Sequence, residues 1–268
     1  MCETGRQEQM TETRPKLFST SLERGLLILA AFDQGEQTLG LTQLVERTGI
    51  EKTAAQRFLS TLVAMGYLLK DPITRRYSLT ARMLHLGSSF LRGNPLIERA
   101  TPYMLNCNKE LGETVNLGVL DDEEIILVAR IPSREVVSPN VGLGSSFPWH
   151  VSGLGQSIVA YLPDERRRAL VSQVNFVRRA SNTIMDAQAL HARLDQIRSS
   201  GSVLVINENF DGDITVAAPV FDATGEVTAA VNIVVTPQRW STDKAESLRP
   251  TVVVLASALS SHYPSRAR

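Results

Sequence analysis

Cysteine is nearly absent: the 268 residues hold two, Cys2 and Cys107. One lies in a polar N-terminal stretch, so no disulfide framework forms and a reducing compartment, the cytoplasm, is expected. No apolar run approaches the roughly 18 residues of a membrane-spanning helix, and Met1–Arg14 is too polar for a secretory leader. Net charge is absent as well: 28 Lys and Arg balance 28 Asp and Glu. Such a chain does not coat nucleic acid by bulk attraction. The histidines, His85, His150, His191 and His262, are too scattered for a ligand pattern, and neither metal nor cofactor is expected. Gly142-Leu-Gly144 and Gly153-Leu-Gly155 begin like dinucleotide fingerprints, but Phe147 and Ile158 occupy the third glycine position. Ser157 sits in no Gly-x-Ser-x-Gly elbow. The acidic stretches Asp121–Glu124 and Asp211-Gly212-Asp213 read as turns. Nothing pairs a nucleophile with a base, so an enzyme is not expected.

Local charge differs from the total. Residues 50–82 carry Lys52, Arg57, Lys70, Arg75, Arg76 and Arg82 against Glu51 and Asp71, a net of 6 − 2 = +4. A basic segment in a neutral chain is either a phosphate footprint or ordinary surface scatter.

The surrounding pattern favours the footprint. A helix is expected after the hydroxyl caps Ser19–Ser21, with Leu22, Leu26 and Leu29 as its buried stripe and Gly35 as its stop. A short helix carries Leu41, Leu44 and Val45 and ends at Gly49. A third runs from Lys52 to about Met65, and strands at Tyr67–Lys70 and Arg76–Leu79 follow. Three helices and a hairpin make a winged helix-turn-helix pattern. On the third helix Ala55, Phe58, Leu59, Leu62 and Met65 share one face, and Thr53, Gln56, Arg57 and Ser60 the other. That polar face suits a major groove: hydroxyls, an amide for base edges and a guanidinium. Lys52 stands at the helix start, where phosphate is favoured. Thr74, Arg75 and Arg76 occupy the hairpin tip, as a wing would. A plain amphipathic helix is the competing reading.

The remainder alternates strands and helices. Thr114–Leu120, Ile125–Arg130, Glu135–Val141, Ser202–Ile206, Ile214–Phe221 and Val227–Val235 read as strands. Helices are expected at residues 81–92, 96–111, 153–162, 164–174 and 186–200, and a last one on Leu248, Val252, Leu255 and Leu259. This is an α+β domain, an antiparallel sheet covered by helices. Trp149 and His150, just before a Gly-rich helix start, form either a pocket wall or a structural pair.

Several stretches are similar to one family. Ser21-Leu-Glu-Arg-Gly-Leu-Leu-Ile-Leu, Leu41–Leu62, Gly66-Tyr67-Leu68 and Tyr77-Ser78-Leu79 resemble the DNA-binding domain of the isocitrate lyase regulator (IclR) family of bacterial transcription factors. Leu111–Leu117, Pro148-Trp-His150, Gly155, Leu162-Pro163 and Gly212–Val220 resemble its effector domain. The likeness covers about residues 20–262. Ala129-Arg130-Ile-Pro and Ala230-Val231-Asn232-Ile233 are similar to the branch sensing protocatechuate or hydroxybenzoate.

The resemblance implies a tail at 1–18, a winged helix-turn-helix domain at 19–80, a linker helix at 81–97 and a GAF-like effector domain at 98–268. It implies a homodimer or homotetramer on a palindromic double-stranded operator, governing a catabolic operon. Its effector is a small organic acid, held near Gly153, Leu154, Thr215 and Asn232. Gly153 and Leu154 would offer amides at a helix start. Arg130 or Arg134 would take a carboxylate bidentately if turned inward, and would otherwise be exposed. Val205 and Val234 stand where keto-acid binders carry an acid and a serine, which suits a larger or less polar effector. Gln156 replaces a frequent basic residue. The rival readings are a sensor acting through protein partners and an enzyme acting on a small acid.

Overall fold

The computed structural model describes residues 15–33, 36–134 and 141–260. Cys2, the Gly35 stop, His262 and the proposed strand from Glu135, apart from Val141, lie outside them. The chain forms two units that divide between Arg92 and Gly93, within the stretch read as linker.

In the first unit, α1 (Thr20–Ala30) is capped by the Ser19 hydroxyl. Helices α2 (Leu41–Thr48) and α3 (Lys52–Ala64) are separated by Gly49, which takes φ +65°. A left-handed residue costs glycine little, so the chain reverses sharply there. Strands β1 (Leu68–Lys70) and β2 (Tyr77–Leu79) form the hairpin, and Leu39 bridges to Tyr77. Ile28, Phe32, Leu39, Leu44, Leu59, Leu62, Leu68 and Tyr77 make one core. The expected stripe on α1 is displaced. Ile28 is fully buried, whereas Leu22 and Leu26 are 64% and 57% exposed. Period alone shows that a helix face is apolar, and α1 carries two such faces. Met65, expected with the buried face of α3, is likewise exposed. Helix α4 (Met83–Arg92) buries none of its residues.

The second unit begins with α5 (Pro95–Leu111). Its sheet contains β3 (Thr114–Asp121), β4 (Glu124–Ile131), β5 (Ser146–Pro148), β6 (Val203–Ile206), β7 (Ile214–Phe221) and β8 (Val227–Val235). The spatial order is β5-β4-β3-β8-β7-β6, every pair antiparallel. Helices α5 and α10 (Arg249–Leu259) pack on one face over Val115, Leu117, Val216, Val231 and Ile233. Helices α6 (Gly153–Val159), α7 (Asp164–Gln173) and α8 (Ala187–Ser200) cover the other, over Leu127, Val203, Val205 and Ala217. Both faces are covered, so the strands read as nearly continuous apolar runs. The short α9 (Thr242–Glu246) precedes α10. Cys107 is buried on α5, and burial with nearby Glu110 pushes its thiol up to about 11, an unreactive state. No helix among the described residues is long and apolar enough to cross a membrane.

Candidate functional site

Two surfaces offer recognition chemistry, one in each unit. On the first, Lys52, Thr53, Gln56, Arg57 and Ser60 are all exposed along α3. A groove of about 410 Å³ runs between α3 and the hairpin, lined by Gln56, Ser60, Lys70 and Arg75 among others. The hairpin tip is shaped by Asp71, whose Oδ1 accepts from Ile73 N at 2.9 Å and Thr74 N at 2.6 Å. These bonds hold the Asp71 carboxyl below its ordinary range. Arg75 takes φ +60° at the tip.

The six cations of this window are not equivalent. Arg76 donates from Nε to Thr38 Oγ1 at 2.8 Å and from Nη2 to the Thr38 carbonyl at 2.6 Å, with Glu36 at 3.7 Å. Arg82 turns back to the Met65 carbonyl and lies over the Tyr67 ring. Arg76 ties the hairpin to the Thr38 segment, and Arg82 ties the chain after it to the end of α3. Lys52, Arg57 and Arg75 remain as outward cations, and Lys70, though exposed, lies 5.3 Å from the Tyr77 ring centroid. The start of α3 is also occupied: the Glu51 carboxylate accepts from Thr53 N at 2.8 Å and Ala54 N at 3.0 Å. Those bonds lower its pKa. A phosphate at the Lys52 position would compete with that cap.

The second surface is a cavity against the sheet face that α6 covers. Cross-strand pairing sets Arg130 beside Asn116, and Asn116 beside Asn232. Arg130 Nη1 donates to Asn116 Oδ1 at 2.9 Å, and Asn116 Nδ2 donates to Asn232 Oδ1 at 2.9 Å. A row of three polar side chains thus crosses three strands of a largely apolar face. Burial lowers the Arg130 pKa, although a guanidinium stays charged throughout the working range. A narrow inner chamber of about 70 Å³ is lined by Asn116, Arg130, Gly153, Leu154, Thr215 and Asn232. An outer chamber of about 480 Å³ includes Glu113, Thr114, Ser133, Asp211 and Gln238. Arg130, Val141, Phe210, Asp213 and Val234 line both.

Glycine allows α6 to lie against the sheet. A Cβ on Gly153 would stand 3.2 Å from the Ala217 Cβ and 3.3 Å from the Thr215 Cγ2. One on Gly155 would fall 2.3 Å from the Trp149 carbonyl oxygen, an impossible contact with backbone. Gly153 and Leu154, at the start of α6, therefore line the cavity wall.

With this geometry in place, comparison with known proteins is decisive. The model of the bacterial transcriptional regulator IclR C-terminal domain matches residues 88–261, and that of the IclR helix-turn-helix domain matches residues 21–72. The chain belongs to the IclR family. It is a ligand-responsive, DNA-binding transcriptional regulator with a two-domain IclR fold. It is 33% identical over 217 residues to the Pca regulon regulatory protein of Pseudomonas putida, covering 81% of this chain and 74% of that one. It is 34% identical over 226 residues to the p-hydroxybenzoate hydroxylase transcriptional activator of Acinetobacter baylyi, covering 82% and 83%. The crystal structure of an IclR family regulator from Brucella abortus shares the fold, with a TM-score of 0.82, 24% identity, and coverage of 96% and 98%.

Within the IclR frame, the structure gathers Arg130, Gly153, Leu154, Thr215 and Asn232 around one cavity. It does not gather Arg134, Trp149 or His150 there. Arg134 is exposed outside the cavity lining. Trp149 and His150 lie in a 3₁₀ turn before α6, buried beside a separate cavity of about 270 Å³ with Glu123, Asn175 and Arg179. Burial and the charge of Arg179 lower the His150 pKa. Gln156 also lies outside the lining of that cavity. It donates to Glu208 Oε2 at 2.6 Å and to the His150 carbonyl at 2.8 Å, while Arg193 meets Glu208 Oε1 at 2.9 Å.

Sequence reasoning missed Asn116, Phe210 and Asp213. Asn116 interrupts the apolar run of β3, which is the usual mark of a buried polar function. Asp213 was absorbed into a turn, and its approach to Thr215 depends on the path of the chain after Phe210. Among the described residues, no group of three or more His, Cys, Asp or Glu is placed to hold a metal.

Proposed function

We propose that this regulator binds a palindromic operator as a homo-oligomer and responds to a small organic acid, of the aromatic class, in a catabolic operon. The observation that carries the effector reading is the Arg130–Asn116–Asn232 row facing the start of α6. A guanidinium held on the wall of a cavity favours a carboxylate beside it. Val141, Phe210 and Val234 make part of the cavity wall apolar, which suits a ring; Val205 does not line it. The regulators of the Pca regulon and of p-hydroxybenzoate hydroxylase, both above 30% identity, support that class.

On DNA, α3 enters the major groove, where Gln56 and Arg57 reach base edges and Thr53 and Ser60 lie alongside. Lys70 and Arg75 approach the phosphates from the wing. Two half-sites about one helical turn apart, roughly 34–36 Å, require two such units. The apolar side chains left exposed on α1 and α4, including Leu22, Leu26, Leu84 and Phe90, suit a second copy of the chain. Regulation requires unequal affinity of the effector for the DNA-competent and incompetent states. Working on chromosomal DNA, the protein acts in the cytoplasm and needs no catalysis.

The test combines two measurements on the full chain: a thermal-shift screen of aromatic and aliphatic acids, and gel shift on its own upstream DNA with and without the hit. A stabilising acid that alters a salt-sensitive DNA complex supports the reading. An acid that stabilises without duplex binding favours a sensor acting through protein partners. Consumption of the acid would favour an enzyme.

A further inference from the structure

The cavity contains a carboxylate to which the described residues donate little. Asp213 stands where the two chambers meet, with Arg130, Phe210 and Val234. Among the described residues its side chain takes one hydrogen bond, from the Thr215 hydroxyl at 3.2 Å. An ionised carboxylate offers about four acceptor positions. No cation neutralises it among the described residues, since the Arg130 guanidinium is turned to Asn116. Burial accordingly pushes Asp213 up to about 6. Asp213 is half-buried, so a ligand that fills the neck and displaces water there must itself supply a donor or leave the carboxylate uncompensated.

Charge assigns the two ends of a ligand at this neck. The effector carboxylate belongs with Arg130, because a second anion beside Asp213 is repelled. What faces Asp213 must donate. A hydroxyl satisfies it without the cost of stripping water from an ammonium ion. Phe210, 47% exposed and edge-on to Phe147 at 6.0 Å, supplies an apolar wall with Val234.

We propose that Asp213 is the specificity-determining residue of the cavity. It accepts a hydrogen bond from a hydroxyl group on a carboxylic acid effector whose carboxylate faces Arg130. This rests on the reading that the cavity binds an organic acid.

The test compares acids with and without the hydroxyl on the full-length protein: benzoate against 3- and 4-hydroxybenzoate, and propanoate against 3-hydroxypropanoate, by calorimetry at neutral pH. At least one hydroxylated acid should bind about tenfold or more tightly than its parent, as a hydrogen bond to a charged group predicts. Asp213→Leu should bring the pair to equal affinity while the parent acid binds as well or better. Asp213→Asn keeps the shape and an acceptor oxygen but not the charge, and should retain only part of the preference. Melting and ligand-free operator binding verify that each variant folds; if the leucine variant does not, the asparagine variant decides. An undiminished preference in the folded variants, or equal binding of parent and hydroxylated acids by the unsubstituted protein, overturns the role of Asp213 and leaves the acid reading intact. Failure of every acid to bind the unsubstituted protein overturns the acid reading, and the proposal with it.

Discussion

Asn116 and Asn232 are direct cross-strand partners, and their side-chain amides share a hydrogen bond of 2.9 Å on a buried face. The bond fixes which way each amide points. Asn116 spends its NH₂ on Asn232 and so turns its oxygen to Arg130. Asn232→Ala removes the acceptor, leaves Asn116 unsatisfied and frees Arg130 to swing. The expected result is a loss of about 1–3 kcal/mol of stability by urea unfolding, with roughly tenfold weaker binding of any acid that stabilises the parent protein. Unchanged acid affinity would separate this row from the ligand.

Arg57 and Arg75 should fail differently. If Arg57 reads a base, as proposed, Arg57→Ala should cost about 1–3 kcal/mol on the operator, with relaxed specificity at one position. Arg75 sits at φ +60°, so Arg75→Asn is the appropriate charge deletion, because asparagine tolerates that conformation. It should weaken all duplexes alike and reduce the slope of log affinity against log salt by about 1. Gel-shift titrations at several salt concentrations distinguish the two patterns.

Glu51 presents an unusual combination, a carboxylate capping a helix meant for DNA. Glu51→Ser keeps a capping side chain and removes an anion from the reading surface. Non-specific duplex affinity should rise and its salt dependence steepen, with little change in melting temperature. Fluorescence anisotropy on an unrelated duplex reads this directly.

The Glu208–Arg193 pair holds the segment before β7 to α8 and, through Gln156, to α6. Glu208→Ala leaves Arg193 and Gln156 without their partner and should destabilise the effector domain by about 3 kcal/mol. Glu208→Gln, which keeps one acceptor oxygen for Arg193 or Gln156 but presents an NH₂ to the other, should lose less. Chemical unfolding followed by tryptophan fluorescence provides the comparison.

Asp213 gives the ligand-free protein a defined pH response. Its carboxyl binds protons more readily in the folded chain, near 6, than at the ordinary 3.8. Folding therefore takes up a proton in that interval, and this group's contribution to stability falls as pH rises from about 4 to about 6. Above that interval the full cost of the buried charge is present. Asp213→Asn removes it and should raise stability at pH 7.5, by on the order of 1–2 kcal/mol once partial solvent access is discounted. Near pH 4 the gain should vanish. Melting curves across pH test the sign.

Much of this was legible in the sequence, for identifiable reasons. Gly49 between two amphipathic helices, followed by a short basic hairpin, determines a winged helix-turn-helix largely through local rules. Strand boundaries in the second unit follow apolar runs and the Asp222–Gly225 turn, so β7 and β8 were placed correctly. Edge strand β5 was not, because three residues carry no readable period. Leu22 and Leu26 were assigned inward because periodicity cannot say what covers a face. At the DNA surface, residue type alone counted Arg76 and Arg82 as outward cations. Thr38 and Met65, which hold them, are 38 and 17 positions away. In the cavity, the Arg130–Asn116–Asn232 row exists only through the register of three strands, to which no single segment points.

The glycines of α6 have a mechanical consequence. With no side chain at 153 or 155, the helix rests on the sheet and on the Trp149 backbone with no slack. It behaves as the fixed jaw of a vice. The facing jaw, from Asn207 to Asp213, is pinned as well: Gly212 N donates to Asn207 Oδ1 at 2.7 Å and Arg179 Nε to Asn209 Oδ1 at 2.9 Å. A guest entering between them would be sized by backbone rather than by pliable side chains.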